Sequence, residues 1–195
     1  GEGGCLVVNT AAEATAAERF RLQGLIRDGE DGMDVIEPGT KANLTDLCAV
    51  IGLSQLGQLD AITARRARLA EIWFEAAARH GLTDLGVELP PRLVPDQART
   101  NWHMFQVVLP TDRLEGGRAA VMKAMREGGI ATGVHYPPVH LFTFYRAAGW
   151  REGMLPQTER VGRGILTLPL FPAMADDDVD RTCRLLKTVL QERLG

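Results

Sequence analysis

The sequence has few lysines, few cysteines and no long apolar stretch, and each shortage narrows the class of protein. Only three of its 22 basic residues are lysines, namely Lys41, Lys123 and Lys187. No apolar run approaches the roughly 18 residues that a membrane-spanning helix needs. The three cysteines lie far apart, which is typical of free thiols in a reducing compartment and not of disulfides or zinc. We therefore expect a cytoplasmic protein without a metal site.

The charge balance and composition favour a folded protein that does not bind nucleic acid. The 195 residues include 25 acidic side chains, and the net charge is −3. A protein that binds nucleic acid non-specifically needs a basic surface to displace counterions. With 45% hydrophobic and 24% charged residues, the composition is that of a folded chain.

The first third of the sequence predicts one strand, helices and a long loop. Cys5–Val8 is a short β-type run, and Ala11 to about Leu25 is rich in alanine and glutamate. Arg27–Gly39 contains the glycine and aspartate typical of a loop. Thr45 is a helix N-cap candidate, followed by apolar residues at helical spacing up to Ile62. Gly57 leaves open whether this region is one kinked helix or two.

The rest of the sequence predicts a small α/β unit. Ala64–Ala78 favours a helix, whose Arg65, Arg66 and Arg68 indicate a solvated face more than a phosphate site. A strand at Trp102–Leu109, a helix at Leu114–Glu127 and a second strand at Ile130–His135 follow. Leu166–Leu170 is an edge strand or an extended segment, and a final helix begins at Asp176. The order is typical of an α/β or α+β domain.

Three stretches of the sequence carry a family resemblance: Gly1–Gly4 with the apolar run after it, Gly39–Leu56, and Gly129–Pro172. Together they resemble the DegT/DnrJ/EryC1/StrS sugar aminotransferases, which use pyridoxal phosphate (PLP). The first stretch resembles the segment that follows the family's PLP-bearing lysine. The second resembles its Gly-Tyr-Lys-Tyr-Asn-Leu-Thr-Asp stretch, with Thr40 and Ala42 in place of the tyrosines, and the third matches its carboxyl-terminal signature. The Lys41…Asn43 spacing is similar to that of the 4-amino-4-deoxy-arabinose type.

The resemblance implies the α/β fold of the carboxyl-terminal part of a fold type I, aspartate-aminotransferase-like PLP enzyme. Residues 1–62 would be the tail of the large PLP-binding domain. Residues 63–195 would be the small domain, including the long connecting helix. The implied protein is a homodimer through the 39–62 region.

The resemblance implies transfer of an amino group from glutamate to a nucleotide-linked keto-sugar. PLP chemistry needs a lysine amine and an acid against the pyridinium nitrogen, and in the family both precede the position of Gly1. None of the three lysines here is a convincing substitute, so we expect this chain alone to be inactive. Two alternatives stay open: a dehydratase of the same family, and a non-catalytic truncated domain. The upstream reading frame would discriminate between the enzyme and the non-catalytic domain, and the residue at the position of the PLP lysine would discriminate between the aminotransferase and the dehydratase.

The resemblance also implies the site residues. Asn43, with Lys41 as a second candidate, would contact the PLP phosphate of the partner subunit, and Asn43 could instead simply shape the turn before Thr45. His135 and Tyr136 would bind the sugar nucleotide, and His135 could equally be structural. Glu2 and Gly3 would form a tight turn beneath the cofactor. No residue in the chain is assigned as catalytic.

Overall fold

The computed structural model describes residues 3–92 and 100–195. It divides into two compact units, Gly1–Leu59 and Asp60–Gly195. The interpretation of residues 1–62 and 63–195 as parts of a large and a small domain remains a prediction. Glu2, one of the two residues of the predicted tight turn, lies outside the described residues.

The first unit begins with a capped helix, α1 (Ala11–Arg21). The Thr10 side chain accepts a hydrogen bond from the Glu13 amide, and the Glu13 carboxylate accepts one from the Thr10 amide. This reciprocal capping box fixes where the helix starts. The helix ends before the predicted Leu25 because Gln23 and Gly24 adopt positive φ angles of 69° and 71°, which a helix cannot accommodate.

A β-hairpin follows where the sequence predicted a loop over Arg27–Gly39. Strands β1 (Leu25–Asp28) and β2 (Gly32–Val35) pair antiparallel, with Leu25 opposite Val35 and Asp28 opposite Gly32. Their side chains are mostly exposed. The loop prediction was wrong because a solvated strand lacks the apolar alternation that marks a half-buried one.

The predicted strand at Cys5–Val8 is absent, since residues 3–8 have no regular secondary structure. A strand exists only when a neighbour satisfies its backbone groups. Among the described residues, the β1–β2 hairpin is the only sheet in this unit, and residues 3–8 do not join it.

Two separate helices occupy the region where the sequence left one or two open. Helix α2 (Asp46–Leu56) starts as predicted at Thr45, whose hydroxyl accepts a hydrogen bond from the Cys48 amide. Helix α3 (Leu59–His80) follows after two residues. It runs two residues past the predicted Ala78 and ends at His80, before Gly81, which has a φ of +67°.

The second unit contains a two-stranded antiparallel sheet. Strands β3 (Phe105–Val108) and β4 (Ile165–Leu168) pair with Phe105 opposite Leu168. The structure thus confirms the predicted Trp102–Leu109 strand over Phe105–Val108. It also shows that the predicted Leu166–Leu170 segment is a strand as far as Leu168. The predicted strand Ile130–His135 is wrong, because only Gly133 forms a bridge, to Thr167.

Helices α3, α4 (Gly117–Glu127) and α7 (Asp176–Gln191) contribute to one apolar core with this sheet. The Trp73 ring of α3 stacks on Phe105 at a centroid distance of 5.3 Å. Helix α7 buries Val179, Cys183, Leu186 and Leu190 in this core.

The remaining elements of the second unit are short. Helices α5 (Thr143–Ala147) and α6 (Pro156–Gly164) lie between the Pro137-Pro138 turn and β4. Single 3-10 turns occur at Thr111–Arg113 and Val139–Leu141. Among the described residues, none of the helices taken singly has the length and hydrophobicity that a membrane span requires. Helices α2 and α3 reach that length and hydrophobicity only when they are counted together across the bend between them.

Candidate functional site

The Lys41–Asn43 segment is held in place by the end of α1. The Thr40 amide donates to the Phe20 carbonyl at 2.7 Å, and the Ala42 amide donates to the Arg21 carbonyl at 3.0 Å. These backbone hydrogen bonds hold the Lys41–Asn43 segment alongside the last turn of α1. Its position therefore depends on the backbone and not on the side chains of Thr40 and Ala42, which replace the tyrosines of the family motif.

Asn43 is paired with an arginine that the sequence did not indicate. Arg21 Nη1 donates to Asn43 Oδ1 at 3.0 Å. The contact engages the amide oxygen and leaves the amide nitrogen, a double donor, for another partner. Lys41 and Asn43 are both exposed. Arg21, Lys41 and Asn43 together form a donor-rich, positively charged strip, here called the 41–43 strip, which suits an anionic group.

Two glycines allow the chain to turn tightly behind the 41–43 strip. A Cβ placed on Gly24 would lie 1.7 Å from the Glu37 carbonyl oxygen, and one on Gly39 would lie 2.2 Å from the Gly24 nitrogen. Gly24 also has a φ of +71°. Because no side chain fits at either position, glycine is required for the path of the chain from the hairpin to Lys41.

Gly3, the described half of the predicted tight turn, lies against α2. A Cβ on Gly3 would come within 3.0 Å of Leu44 Cδ1. Gly3, Gly4 and Cys5 line one side of a cleft of about 440 Å³, and Leu44, Cys48 and Ile51 line the other.

In the second unit, His135 follows the Gly133–Thr167 bridge. Its Nδ1 lies 2.8 Å from Thr167 Oγ1, and its backbone carbonyl accepts a hydrogen bond from the side-chain amide nitrogen, Nε2, of Gln106. The half-buried imidazole thus has one nitrogen engaged by the protein. The strand prediction placed His135 at a strand end, whereas the structure places it on a non-strand segment beside β4.

Tyr136, the other predicted substrate-binding residue, is 64% exposed. Its ring meets the His135 ring edge to face, with centroids 5.0 Å apart. It lines a cleft of about 580 Å³ together with Pro137, His140, Leu155 and Val161. The structure therefore places Tyr136 in the lining of a mostly apolar cleft, while His135 adjoins it only through the contact between the two rings.

A buried pair of side chains, His140 and Glu159, adjoins this cleft, and His140 is part of its lining. His140 Nε2 is 3.0 Å from Glu159 Oε1, and the same carboxylate accepts hydrogen bonds from the amides of Gly153 at 2.9 Å and Leu155 at 3.3 Å. The bond from Gly153 lowers the pKa of Glu159 most, with smaller contributions from His140 and Leu155, and together these outweigh the opposing effect of burial. These contacts fix the segment between His140 and α6.

Arg65 and Arg66 of α3 are structural, so the solvated-face prediction was wrong for these two, whereas Arg68 is exposed. Arg65 donates to the carbonyls of Pro172 and Met174 and pairs with Asp176 at 2.9 Å. Arg66 donates to the His103 carbonyl at 2.8 Å. Both hold loops of the second unit against α3.

None of the three lysines lies in a desolvated setting of the kind that activates a lysine amine. Lys41 is exposed, and Lys187 is half-buried. The Lys123 side chain is 70% exposed and lies 3.9 Å from a carboxylate oxygen of Glu127. Within residues 3–92 and 100–195, no cluster of three metal-ligating side chains occurs.

A sequence profile described as the DegT/DnrJ/EryC1/StrS aminotransferase family matches residues 1–187. The uncharacterized protein MJ1066 of Methanocaldococcus jannaschii is 30% identical over 98% of this chain and 50% of its own length. The chain therefore spans about half the length of this relative.

Solved structures of sugar-modifying enzymes share the fold. DesV of S. venezuelae matches with a TM-score of 0.77 and 26% identity over 93% of this chain and 45% of its own. DesI, solved in the presence of its TDP-sugar product, matches with a TM-score of 0.76 and 26% identity over 94% and 44%. These similarities confirm the predicted α/β fold class, that of part of a fold type I enzyme.

Proposed function

Because the chain belongs to the DegT/DnrJ/EryC1/StrS aminotransferase family, we propose that it works as part of a PLP-dependent sugar aminotransferase. The reaction would move an amino group from glutamate to a nucleotide-linked keto-sugar. Such amino sugars would feed the synthesis of polysaccharides, lipids or antibiotics. The DesI structure, with its TDP-sugar product, supports a nucleotide sugar as the substrate class.

The observation that supports a cofactor role most directly is the bond between Arg21 and Asn43. Since Arg21 engages the amide oxygen at 3.0 Å, the amide nitrogen of Asn43 is oriented to donate. A phosphate offers oxygen acceptors only, so it complements an amide donor flanked by a guanidinium and an ammonium group. We assign Asn43 and Lys41 to the PLP phosphate of the partner subunit.

The donors fit the phosphate of PLP but supply no lysine for its covalent attachment. When bound, PLP acts as an electron sink for negative charge at the substrate carbon. The task of the 41–43 strip is therefore to bind and orient the cofactor, while the reactive lysine would come from residues other than Lys41, Lys123 and Lys187.

We assign substrate contacts to His135 and Tyr136. His135 has one ring nitrogen bonded to Thr167, which leaves the other for a phosphate or sugar oxygen. Tyr136 adds an exposed phenol at the apolar cleft, and an aromatic ring next to a polar donor suits a sugar.

We propose a homodimer through the 39–62 region, located in the cytoplasm. Helix α2 supports this, because its apolar residues lie exposed: Leu47 is 81% exposed and Leu53 is 70% exposed. A patch of this kind typically marks an interface. The three free thiols suit a reducing compartment.

Cofactor retention in the assembled enzyme tests this proposal. Asn43→Ala should weaken retention of PLP by about tenfold or more, since a hydrogen bond to a charged group is worth about 1.5–3 kcal/mol. Asn9→Ala, at an exposed position before α1, is the matched control and should retain PLP normally. The measurement is PLP absorbance after gel filtration. Equal retention by Asn43→Ala and the control would contradict the assignment.

A further inference from the structure

His135 sits on a small platform built by the two strands of the second unit. Thr167 on β4 contacts its ring, and Gln106 on β3 donates to its backbone carbonyl. Gln106 and Thr167 lie opposite each other in the β3–β4 register. The platform therefore holds both the backbone and the ring of one histidine.

Gly133 completes the platform from the third side. Its amide and carbonyl both pair with the backbone of Thr167, at 2.9 and 2.8 Å. A Cβ on Gly133 would lie 2.8 Å from His135 Cε1 and 3.3 Å from Nδ1. The imidazole thus packs into the space that a side chain at position 133 would fill.

The Thr167 hydroxyl selects one tautomer of the neutral imidazole. Thr167 is only 9% exposed, and Nδ1 of His135 is the one partner of its Oγ1 among the described residues. If Nδ1 carried the proton, the hydroxyl proton would have no acceptor in a nearly buried position, which is costly. If the hydroxyl donates to Nδ1, both the Thr167 hydroxyl proton and the Nδ1 lone pair have a partner, and the ring proton lies on Nε2.

We propose that Thr167 and Gln106 are positioning residues that present His135 Nε2–H as a hydrogen-bond donor to a substrate oxygen. Within the imidazole ring, Nε2 points away from the nitrogen that faces Thr167, so the donor is directed off the platform. The substrate class is one rich in oxygen acceptors, such as a sugar phosphate. This inference rests on the substrate role proposed above for His135.

Nuclear magnetic resonance of the 15N-histidine-labelled chain tests the platform. At a pH about two units above the ordinary histidine pKa of ~6.5, the protonated nitrogen of His135 should be Nε2. The His135 Hε1 proton should also show a strong nuclear Overhauser effect to the Gly133 α protons. Loss of the signals in His135→Gln assigns them.

Thr167→Val removes the hydroxyl at nearly constant volume. The Nδ1 resonance should lose the shift of an accepted hydrogen bond. The Overhauser effect should fall by about half, since a ring without a fixed partner samples other staggered rotamers. Thr167→Ser should restore both signals, and Thr167→Ala replaces the valine variant if that protein does not fold. Thr182→Val is the control, because that buried hydroxyl donates to the Asp178 carbonyl instead.

An unchanged Nδ1 shift and Overhauser effect in Thr167→Val would overturn the inference, as would a serine variant that behaves like valine. The readout reports the state of the His135 ring without any ligand or turnover. It can therefore fail while the cofactor-retention test succeeds, or hold while that test fails, so the two proposals are refuted by different results.

Discussion

Asn43 and His135 each depend on a partner that lies far away in the sequence. Asn43 is bonded to Arg21, 22 positions earlier, and His135 to Thr167, 32 positions later. The motif resemblance identified Asn43 and His135 because they lie within contiguous stretches. It did not identify their partners, since a contact across a turn or between paired segments produces no local pattern.

Glu159 yields a prediction about stability and pH. Its pKa is lowered, first by the Gly153 amide, from an ordinary value of 4.5. A lowered carboxylate pKa stabilises the folded chain above that value, and the contribution is lost as the pH falls through the folded-state pKa. Glu159→Gln should therefore unfold at a lower denaturant concentration than the wild type at pH 7. In acid below the folded-state pKa of Glu159, where both proteins carry a neutral group at this position, the difference should shrink.

Denaturant midpoints at the two pH values measure this effect. Glu127→Gln, which changes a 66% exposed side chain at the end of α4, is the matched control and should shift the midpoint little at either pH. A midpoint difference between Glu159→Gln and the wild type that is as large in acid as at neutral pH would refute the role given to the carboxylate.

At the scale of elements, the long helices were predicted, whereas the short helices α5 and α6 and the exposed strands were not. Thr45 marked the start of α2 through its own chemistry, as a side-chain cap. The Leu25–Val35 hairpin lacks apolar alternation because its side chains are mostly exposed. The segment Ile130–His135 has the composition of a strand, but only one of its residues pairs with a neighbour. Pairing is a tertiary property, so composition alone could not establish it.

The hairpin and the 41–43 strip should depend on Gly24. Gly24→Ala would force a Cβ to within 1.7 Å of the Glu37 carbonyl oxygen. Overpacking of this kind, added to a positive φ, should cost about 2 kcal/mol or more. Hydrogen exchange of the Ile36 amide, which bonds to the Gly24 carbonyl at 3.1 Å, should accelerate. Gly4→Ala has open space around the added Cβ and serves as the control. Unaltered exchange in Gly24→Ala would contradict the steric argument.

At the scale of the whole molecule, helix α2 exposes an apolar surface. It has no buried residue, and its exposed apolar members are Leu47, Val50, Ile51, Leu53 and Leu56. The assignment of the chain to parts of two domains came from family resemblance, since local patterns do not reveal domain identity.

This surface should make the chain self-associate. Light scattering should give a mass above the 21.3 kDa of one chain, rising with concentration. Leu47→Glu combined with Leu53→Glu should return the mass to that of a monomer. Gln191→Glu adds charge at an exposed polar position outside the 39–62 region and should not. A wild-type chain that stays monomeric at all concentrations would count against the proposed interface.

The central claim is that these residues bind the cofactor phosphate and the substrate but do not supply the reactive lysine. The most direct test is to mix the purified chain with PLP, reduce with borohydride, and map the modified peptides. We predict scattered, substoichiometric labelling of Lys41, Lys123 and Lys187, without conversion of glutamate to 2-oxoglutarate. One stoichiometrically labelled lysine together with that conversion would contradict the claim.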